Sequence, residues 1–277
     1  MKHFDNTIIQ INLVALHGFT GNGLDFKLIL NHLNLSLNCN YKFNLFAPTL
    51  LGHRKEIDLS CSIDDYIKQF SEYLSSISRL LKSSSNINIL LGYSMGARLA
   101  LLHSIQDSKL WDALILIGVN PGIKDEGKRK ERESSDLALI QMLETNGIER
   151  FINYWHSLPI IKSQSRAPKL FLQSMLERKK SLNPLGLANS LMGFGQGVFP
   201  YLWDDICNLN LPILCVHGSL DEKYALINKA ISLRNPMVNV ESIELCGHAP
   251  HIEDASQVSS VVTGFVLDKF LLNKSRT

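Results

Sequence analysis

A serine between two glycines is the residue of this chain whose surroundings point most directly to chemistry. Ser94 lies in Gly92-Tyr93-Ser94-Met95-Gly96, directly after the apolar run Ile87 to Leu91. This pattern predicts a nucleophile elbow, a sharp turn between a strand and a helix that exposes the serine hydroxyl above a sheet. The glycines are needed because a side chain two residues before or after Ser94 would collide with the neighbouring helix or strand. The Met95 amide would be left free at the helix N-terminus, where it can donate to an anion.

An acid and a base that could serve Ser94 follow it in the chain. Asp221 ends the segment Val216-His217-Gly218-Ser219-Leu220-Asp221, and His248 lies in Leu245-Cys246-Gly247-His248-Ala249-Pro250. A serine hydroxyl is a weak nucleophile or base until an imidazole takes its proton, and the imidazole needs an acid that fixes its tautomer. The residue types and their order therefore predict a Ser-Asp-His catalytic triad.

Each of these three residues also has an ordinary structural explanation. Ser94 could cap a helix, Asp221 could cap a turn, and His248 could lie in a surface loop. We expect the triad because each residue follows a separate predicted strand. The carboxyl ends of parallel strands lie at one edge of a sheet, which would bring the three side chains together.

A glycine-rich segment after the first strong strand could complete the site. It reads Leu16-His17-Gly18-Phe19-Thr20-Gly21-Asn22-Gly23. We expect this turn to present the Phe19 backbone N–H beside that of Met95, which would give two donors for a developing oxyanion. His17, and likewise His53 and His251, are expected to hold loops by hydrogen bonds rather than to transfer protons.

Short apolar runs alternate with longer amphipathic stretches, a pattern that predicts an α/β fold with a mostly parallel sheet. Strands are predicted at 11–16, 42–46, 87–91, 113–117, 213–216 and 240–245. Helices are predicted at 26–33, 62–82, 94–106, 224–231 and 255–272. The second of these helices begins at Ser62, a residue type that caps helix N-termini.

The alternation stops between Asn120 and Asp205. This window has several helical patterns, no convincing strand and many charges from Lys124 to Glu133. A helical insertion between two strands would lie over the carboxyl ends of the strands, where ligands bind in such sheets. We therefore predict two core segments, residues 1–119 and 206–277, and a helical cap at 120–205.

The composition argues against several classes of function. The chain has 277 residues, 45% of them hydrophobic, and a formal net charge of +2, as expected of one globular α/β domain with an insertion. We find neither the basic patches with interleaved aromatic residues that bind nucleic acid nor an apolar segment of membrane-spanning length. The five cysteines are scattered and odd in number, which favours reduced thiols in a cytoplasmic protein and argues against a zinc site.

Together these motifs resemble those of the α/β-hydrolase superfamily over essentially the whole chain. Within it, segments 16–21, 92–101, 218–224 and 247–251 resemble the 2-succinyl-6-hydroxy-2,4-cyclohexadiene-1-carboxylate synthases, lyases of menaquinone and phylloquinone biosynthesis. The resemblance implies an α/β-hydrolase fold with the helical cap inserted after the sixth-type strand. One departure is Ala97, where the family commonly has glycine.

Arg98 distinguishes this family from simple esterases, which usually have a small or apolar residue at that position. It lies one helical turn after Ser94, so it can face the same cavity, and the fork of its guanidinium suits a bidentate carboxylate. The alternative is a surface arginine on the elbow helix with a salt-bridge partner.

The resemblance also implies substrate-binding residues in the cap. Arg132 and Arg178 match two arginines of the family, with Lys179 as the alternative to Arg178 because the alignment slips there. Trp155 matches a cap tryptophan that could form a wall of the pocket, and Tyr93 would line it. Without the resemblance, the charges near Arg132 would indicate a solvated helix face, and Trp155 would indicate a core residue.

We therefore expect a lyase that eliminates pyruvate from 2-succinyl-5-enolpyruvyl-6-hydroxy-3-cyclohexene-1-carboxylate, with Ser94 as the base that abstracts a proton. This chemistry needs no cofactor and no metal. The expected partner is this small anionic cyclohexene carboxylate, rather than nucleic acid or a membrane, and the protein is expected to be a cytoplasmic monomer or weak homo-oligomer. Two alternatives stay open. One is a serine hydrolase of an ester, thioester or carbon–carbon bond, and the other is a binding protein on the same scaffold, which would be expected to have lost a triad residue.

Overall fold

A parallel sheet forms the centre of the protein, for which the computed structural model describes residues 8–36, 41–83 and 86–271. The strands in these residues are β1 Ile9–Leu16, β2 Tyr41–Phe46, β3 Ile87–Tyr93, β4 Ala113–Ile117, β5 Ile213–Gly218 and β6 Val238–Ile243. They are ordered β2-β1-β3-β4-β5-β6, and every neighbouring pair is parallel. All six predicted strands are confirmed, with ends that differ by at most two residues.

Helices connect the strands and cover both faces of the sheet. They are α1 Lys27–Ser36, α2 Ile63–Ser76, α3 Ser78–Leu81, α4 Met95–Gln106, α5 Glu126–Ser157, α6 Pro159–Lys162, α7 Lys169–Lys180, α8 Pro184–Phe194, α9 Trp203–Asn208, α10 Glu222–Ser232, α11 Pro250–Glu253 and α12 Ala255–Val266. Short 3₁₀ turns lie at Gly23–Phe26, Ser108–Leu110 and Ser163–Arg166. The last predicted helix ends as a π-helical segment, Leu267–Leu271, and residue 272 lies outside the described residues.

The helix predicted at 62–82 is interrupted in the structure. Ser62 caps its start, as predicted. Near its end, the hydroxyls of Ser75 and Ser76 donate to carbonyls of the preceding turn, an arrangement that bends helices. Ile77 then leaves the helical conformation, with φ −105 and ψ 7, and a separate short helix follows it.

Apolar side chains cover both faces of the sheet. Strands β3, β4 and β5 are buried along their whole length, as expected for the centre of a parallel sheet. Successive side chains of a strand point to opposite faces. Ile89, Leu91 and Tyr93 therefore pack in one layer, which includes residues of α1 and α12, whereas Leu90 packs in the other layer with residues of α4.

The cap, residues 120–205, consists of helices and loops. It contains α5 to α8 and the start of α9, and no strand lies in these residues. Helix α5 breaks at Gly147, where φ is 71. Helices α5 and α8 contribute to a small apolar core of their own, which includes Leu143, Phe151 and Leu187. Helix α9 runs past the boundary predicted at residue 205, so the domain division stays a prediction.

The cysteines, the possible metal ligands and the helices of the described residues indicate no additional functional site. The cysteines in the described residues, Cys61, Cys207, Cys215 and Cys246, are free thiols, and Cys39 lies outside that part of the chain. The described ranges contain no group of three or more His, Cys, Asp or Glu residues that could hold a metal ion. They also contain no helix with the length and apolar character needed to cross a membrane.

Candidate active site

Ser94 lies at a strained turn between β3 and α4. Its φ of 51 and ψ of −106 form a conformation that costs about 1–3 kcal/mol for a residue other than glycine. A Cβ on Gly92 would lie 2.5 Å from the Ala97 Cα, and a Cβ on Gly96 would overlap the Leu16 carbonyl oxygen. The steric reason given for the two glycines is thereby confirmed.

The three predicted triad residues meet at the carboxyl edge of the sheet. His248 Nε2 lies 3.1 Å from Ser94 Oγ, and His248 Nδ1 lies 2.8 Å from Asp221 Oδ2. Asp221 is the N-cap of α10, three residues after the end of β5, and the His248 side chain is only 3% exposed. A hydroxyl, an imidazole and a carboxylate at these distances can move a proton from the hydroxyl to the imidazole and stabilise the imidazolium that forms.

Gly118, the residue after β4, makes space for the His248 ring. Its φ is 64, and a Cβ there would lie 2.7 Å from His248 Cε1 and 3.2 Å from Nδ1. No sequence motif had pointed to this residue. Its position could have indicated a role, because Gly118 directly follows a predicted strand at the sheet edge where the three predicted triad residues lie.

Replacing Gly118 by alanine is expected to lower kcat by about 100-fold, because a displacement of a catalytic group by about 1 Å is enough for a loss of that size. Steady-state kinetics measures the effect. Gly147→Ala is the matched control, since Gly147 has φ 71 but a Cβ there would meet nothing within 4 Å. It adds left-handed strain without touching the triad and should keep the wild-type kcat. An unchanged kcat in Gly118→Ala, or an equal loss in both variants, would contradict the role given to Gly118.

The loop after β1 lies beside the elbow. A Cβ on Gly18 would lie 3.5 Å from the Ser94 Cβ, and Phe19, Ser94 and Met95 line the same cavity. Met95 is the first residue of α4, so its N–H has no acceptor within that helix. The positions of Phe19 and Met95 agree with an oxyanion site, and that role stays a prediction.

Arg98 is buried beside Ser94, and its hydrogen-bond partners are neutral. Only 8% of the residue is exposed. Its Nη2 donates to the Phe194 carbonyl oxygen at 2.7 Å, its Nη1 donates to Gln196 Oε1 at 3.2 Å, and its buried Nε has no acceptor. Burial, and then repulsion from Arg132, lowers the pKa of Arg98 to about 10, so the guanidinium stays charged at neutral pH. The alternative of a surface arginine is wrong, and a buried guanidinium with neutral partners is suited to an anionic ligand.

The space next to Ser94, which we name the inner cavity, is formed by core and cap together and measures about 60 Å³. Its lining includes Phe19, Ser94, Met95, Arg98, Arg132, Trp155, Ser190 and Gln196.

Two cap residues implied by the resemblance line this cavity. Arg132 contacts Asp136 Oδ1 through Nη2 at 2.8 Å and through Nε at 2.9 Å. The Trp155 ring meets the Phe19 ring edge-on, with centroids 5.2 Å apart, and its buried indole N–H has no acceptor. The amide nitrogen of Gln196 is likewise buried without an acceptor, and no sequence motif had pointed to this residue.

Tyr93 does not line the inner cavity, so the prediction that it lines the pocket is wrong for this space. Its ring lies 4.1 Å from the His251 ring and 5.4 Å from the His248 ring, measured between centroids. The alternation of side chains along β3 explains this position, because it places Tyr93 in the apolar layer of Ile89 and Leu91.

Neither candidate for the second cap cation lines the inner cavity. Arg178 Nη2 lies 3.0 Å from Asp25 Oδ1 in an ion pair between cap and core. Lys179 is 4% exposed, and its Nζ lies 3.1 Å from Gln164 Oε1 and 3.2 Å from His156 Nε2. Burial lowers the pKa of Lys179 to about 8. Both cations have protein partners of their own.

A larger pocket of about 560 Å³ adjoins the triad. Asp221 and His248 are part of its lining, together with the cationic residues Lys162, Arg166 and Lys223. Burial, and then repulsion from Arg132, lowers the pKa of Lys223. Lys223 was not among the predicted site residues, although it lies in one of the segments that carry the family resemblance.

Three further histidines are buried around the site. His17 Nε2 accepts from the Leu50 N–H at 3.0 Å, and His53 Nδ1 lies 2.8 Å from the Leu51 carbonyl oxygen, so both hold loops as predicted. The same prediction is wrong for His251, whose two ring nitrogens have no hydrogen-bond partner. Its ring stacks on Phe26 with centroids 5.4 Å apart, which makes it a packed core residue.

These histidines predict a loss of stability in acid. Burial lowers the pKa of His17 to about 4 and the pKa values of His53 and His251 to about 3. Between these values and the ordinary 6.5, the unfolded chain binds protons that the folded chain does not bind. The free energy of unfolding must therefore fall as the pH drops through 6.5.

His251→Leu is expected to weaken this pH dependence, because the variant removes a buried titrating group and breaks no hydrogen bond. Thermal unfolding at about pH 7.5 and about pH 5 gives the test. The drop in Tm between the two conditions should be smaller in the variant than in the wild type. A drop of the same size in both proteins would show that His251 takes no part in acid unfolding.

The family model described as the alpha/beta hydrolase family matches residues 13–261. The chain belongs to the alpha/beta hydrolase family, and the predicted fold class is confirmed.

Individual relatives include proteins named as the synthases that the sequence motifs resemble. The chain is 30% identical over 256 residues to a Bacillus subtilis (strain 168) protein named provisionally as a 2-succinyl-6-hydroxy-2,4-cyclohexadiene-1-carboxylate synthase, with 92% of this chain and 89% of the relative covered. The structure of MenH from S. aureus matches with a TM-score of 0.81 at 29% identity, over 95% of this chain and 94% of that one. A thermophilic esterase from Thermogutta terrifontis matches with a TM-score of 0.74 at 17% identity, over 95% and 92%, which shows the fold alone. The resemblance to the synthases is thereby confirmed.

Proposed function

We propose that this chain eliminates pyruvate from 2-succinyl-5-enolpyruvyl-6-hydroxy-3-cyclohexene-1-carboxylate to give 2-succinyl-6-hydroxy-2,4-cyclohexadiene-1-carboxylate, a step of menaquinone or phylloquinone biosynthesis. The observation that carries the proposal is the buried Arg98 guanidinium, which faces the cavity of Ser94 and has neutral partners. The substrate is a tricarboxylate and can neutralise this charge, whereas a simple ester cannot. The identity to the Bacillus subtilis protein supports the same reaction.

Substrate recognition depends on cations around the inner cavity. Arg98 and Arg132 hold carboxylates, Trp155 forms a wall, and the free amide of Gln196 is available as a donor. A volume of about 60 Å³ is well below the roughly 300 Å³ of ordinary ligand pockets, so the inner cavity holds only part of the substrate. Arg178 and Tyr93 are left out of this set because they do not line the cavity.

Acid–base chemistry accounts for the whole reaction. His248 takes the hydroxyl proton of Ser94, and the alkoxide takes the ring proton next to the succinyl ketone. The electrons of the broken C–H bond form a new ring double bond, the existing double bond shifts, and the C–O bond to the enolpyruvyl group breaks. Pyruvate leaves as its enolate, which is protonated with the proton that His248 returns. Asp221 stabilises the imidazolium, and the Phe19 and Met95 amides stabilise the enolate oxygen of the ketone.

The alternative is a serine hydrolase in which Ser94 attacks a carbonyl carbon and forms a covalent intermediate. The distances within the triad suit both reactions equally. The cations at the inner cavity favour the lyase, because a neutral ester gains nothing from a buried guanidinium that is expensive to desolvate.

A pair of assays on the purified protein tests the proposal. One measures pyruvate release from the cyclohexene tricarboxylate, and the other measures turnover of p-nitrophenyl acetate. We expect efficient pyruvate release and slow ester turnover. Fast ester turnover without pyruvate release would reject the lyase and favour the hydrolase.

A further inference from the structure

Asp25 is a buried carboxylate that binds two different parts of the protein. It is 5% exposed. Its Oδ2 accepts from the Asn22 backbone N–H at 3.0 Å, and its Oδ1 accepts from Arg178 Nη2, also at 3.0 Å. One oxygen is therefore bound to the loop after β1, and the other is bound to helix α7 of the cap.

The loop side of this contact carries the predicted oxyanion donor. Asn22 caps the 3₁₀ turn that contains Asp25, and the Gly21 N–H donates to the Gly18 carbonyl oxygen at 3.0 Å. A Cβ on Gly21 would lie 2.6 Å from Asp25 Oδ2, so the carboxylate lies directly against the loop. Between these fixed points, Thr20 has a left-handed φ of 64. The backbone around Phe19 therefore depends on the turn that Asp25 holds.

The cap side of the contact is also well supported. Arg178 Nη1 donates to Ser174 Oγ at 2.7 Å, and the guanidinium lies 5.7 Å from the centre of the Phe171 ring. Phe19 contacts the cap as well, since its ring meets Phe151 and Trp155 edge-on. The loop is thus held between the core and the cap at two points, one ionic and one aromatic.

We propose that Asp25 is a positioning residue: together with Arg178 it fixes the loop that presents the Phe19 amide. Arg178 then acts through Asp25 and not by binding a substrate carboxylate. The inference depends on the proposed role of the Phe19 amide as an oxyanion donor. Because Asp25 does not line the inner cavity, its effect must appear in the rate of the chemical step more than in substrate binding.

A double-mutant cycle separates the two roles of Arg178. We expect Asp25→Ala and Arg178→Ala each to lower kcat for pyruvate release by about 10- to 100-fold with KM changed less than about threefold, because a displaced donor weakens transition-state stabilisation. The double variant should be no slower than either single variant. Arg178→Lys should recover part of kcat, because it restores a cation opposite Asp25.

A different set of results is expected if Arg178 binds the substrate directly. If Arg178 holds a substrate carboxylate, Arg178→Ala raises KM strongly, Asp25→Ala leaves KM and kcat near the wild-type values, and the two effects add. That pattern would overturn the proposal. The matched control is the exposed ion pair of Arg234 and Asp204, 2.8 Å apart, whose removal should leave kcat unchanged.

Two further measurements keep the outcome decisive. Thermal unfolding shows whether each variant is folded, and Asp25→Asn, which has nearly the same volume, takes the place of Asp25→Ala if the latter does not fold. If the wild-type protein releases no pyruvate, the proposed function fails. The role of Asp25 is then tested by the rate at which a fluorophosphonate labels Ser94, because the phosphoryl oxygen occupies the same oxyanion site. Slower labelling in both single variants would then support the role of Asp25, and unchanged labelling would reject it.

Discussion

Ser94→Ala is expected to lower kcat for pyruvate release by about 10,000- to 1,000,000-fold, which is the range of loss that follows removal of a triad residue in other enzymes. The variant lacks the hydroxyl that lies 3.1 Å from His248 Nε2, so nothing carries the ring proton to the imidazole. The backbone donors and the arginines stay in place and should leave a residual rate above that of the uncatalysed reaction. A coupled assay for pyruvate at saturating substrate measures the loss.

Ser104→Ala is the matched control for this variant. Ser104 lies on the same helix, α4, is fully buried, and has a hydroxyl without a hydrogen-bond partner. Its removal should leave kcat unchanged. A Ser94→Ala enzyme that kept about a tenth or more of the wild-type kcat would exclude Ser94 from the mechanism.

Mass spectrometry of the intact wild-type protein separates the two possible roles of Ser94. In the elimination, Ser94 exchanges only a proton with the substrate, so the protein mass stays constant during turnover. In the hydrolase alternative, Ser94 forms a covalent intermediate, and a mass increase is expected under rapid quenching. A substrate-derived adduct on Ser94 would therefore favour the hydrolase.

The central part of the fold could be predicted because its strands are buried on both faces. Such strands appear in the sequence as apolar runs, of which Ala113 to Ile117 is a continuous example and Ile87 to Leu91 is an example interrupted only by Asn88. The break at Ile77 could not be predicted in this way. It follows hydrogen bonds from Ser75 and Ser76 to the preceding turn, and a serine side chain in a helix can equally point to solvent.

The positions of Ser94, Asp221 and His248 could be predicted because each residue follows a strand of the same parallel sheet. The ion pair of Asp25 and Arg178 could not, since it joins residues 153 positions apart and no local pattern connects them. The position of Tyr93 follows from the alternation of side chains along β3. This alternation places the ring in the apolar layer of Ile89 and Leu91, and not at the pocket that the family resemblance implied.

Arg98→Met is expected to lower kcat/KM for the tricarboxylate by roughly 30- to 5,000-fold. Loss of one partner from a buried, charge-assisted contact costs about 2–5 kcal/mol, and each 1.36 kcal/mol corresponds to a factor of ten. Methionine replaces the unbranched apolar part of the arginine side chain up to the position of Nε and carries no charge. The protein should therefore stay folded, although the Phe194 carbonyl oxygen loses its donor.

Arg129→Met is a control that separates two possible roles of Arg98, which are binding of the substrate and support of the segment 194–199. Arg129 also donates to backbone carbonyls of this segment, those of Gly197 and Phe199, but it does not line the inner cavity. If Arg98 acts by holding a carboxylate, Arg98→Met loses most of its kcat/KM and Arg129→Met does not. If both arginines only support the loop, the two variants lose activity to a similar degree. Only the first result agrees with the proposal that Ser94 acts on an anionic substrate. It would show that turnover requires the charge of Arg98 and not only its packing.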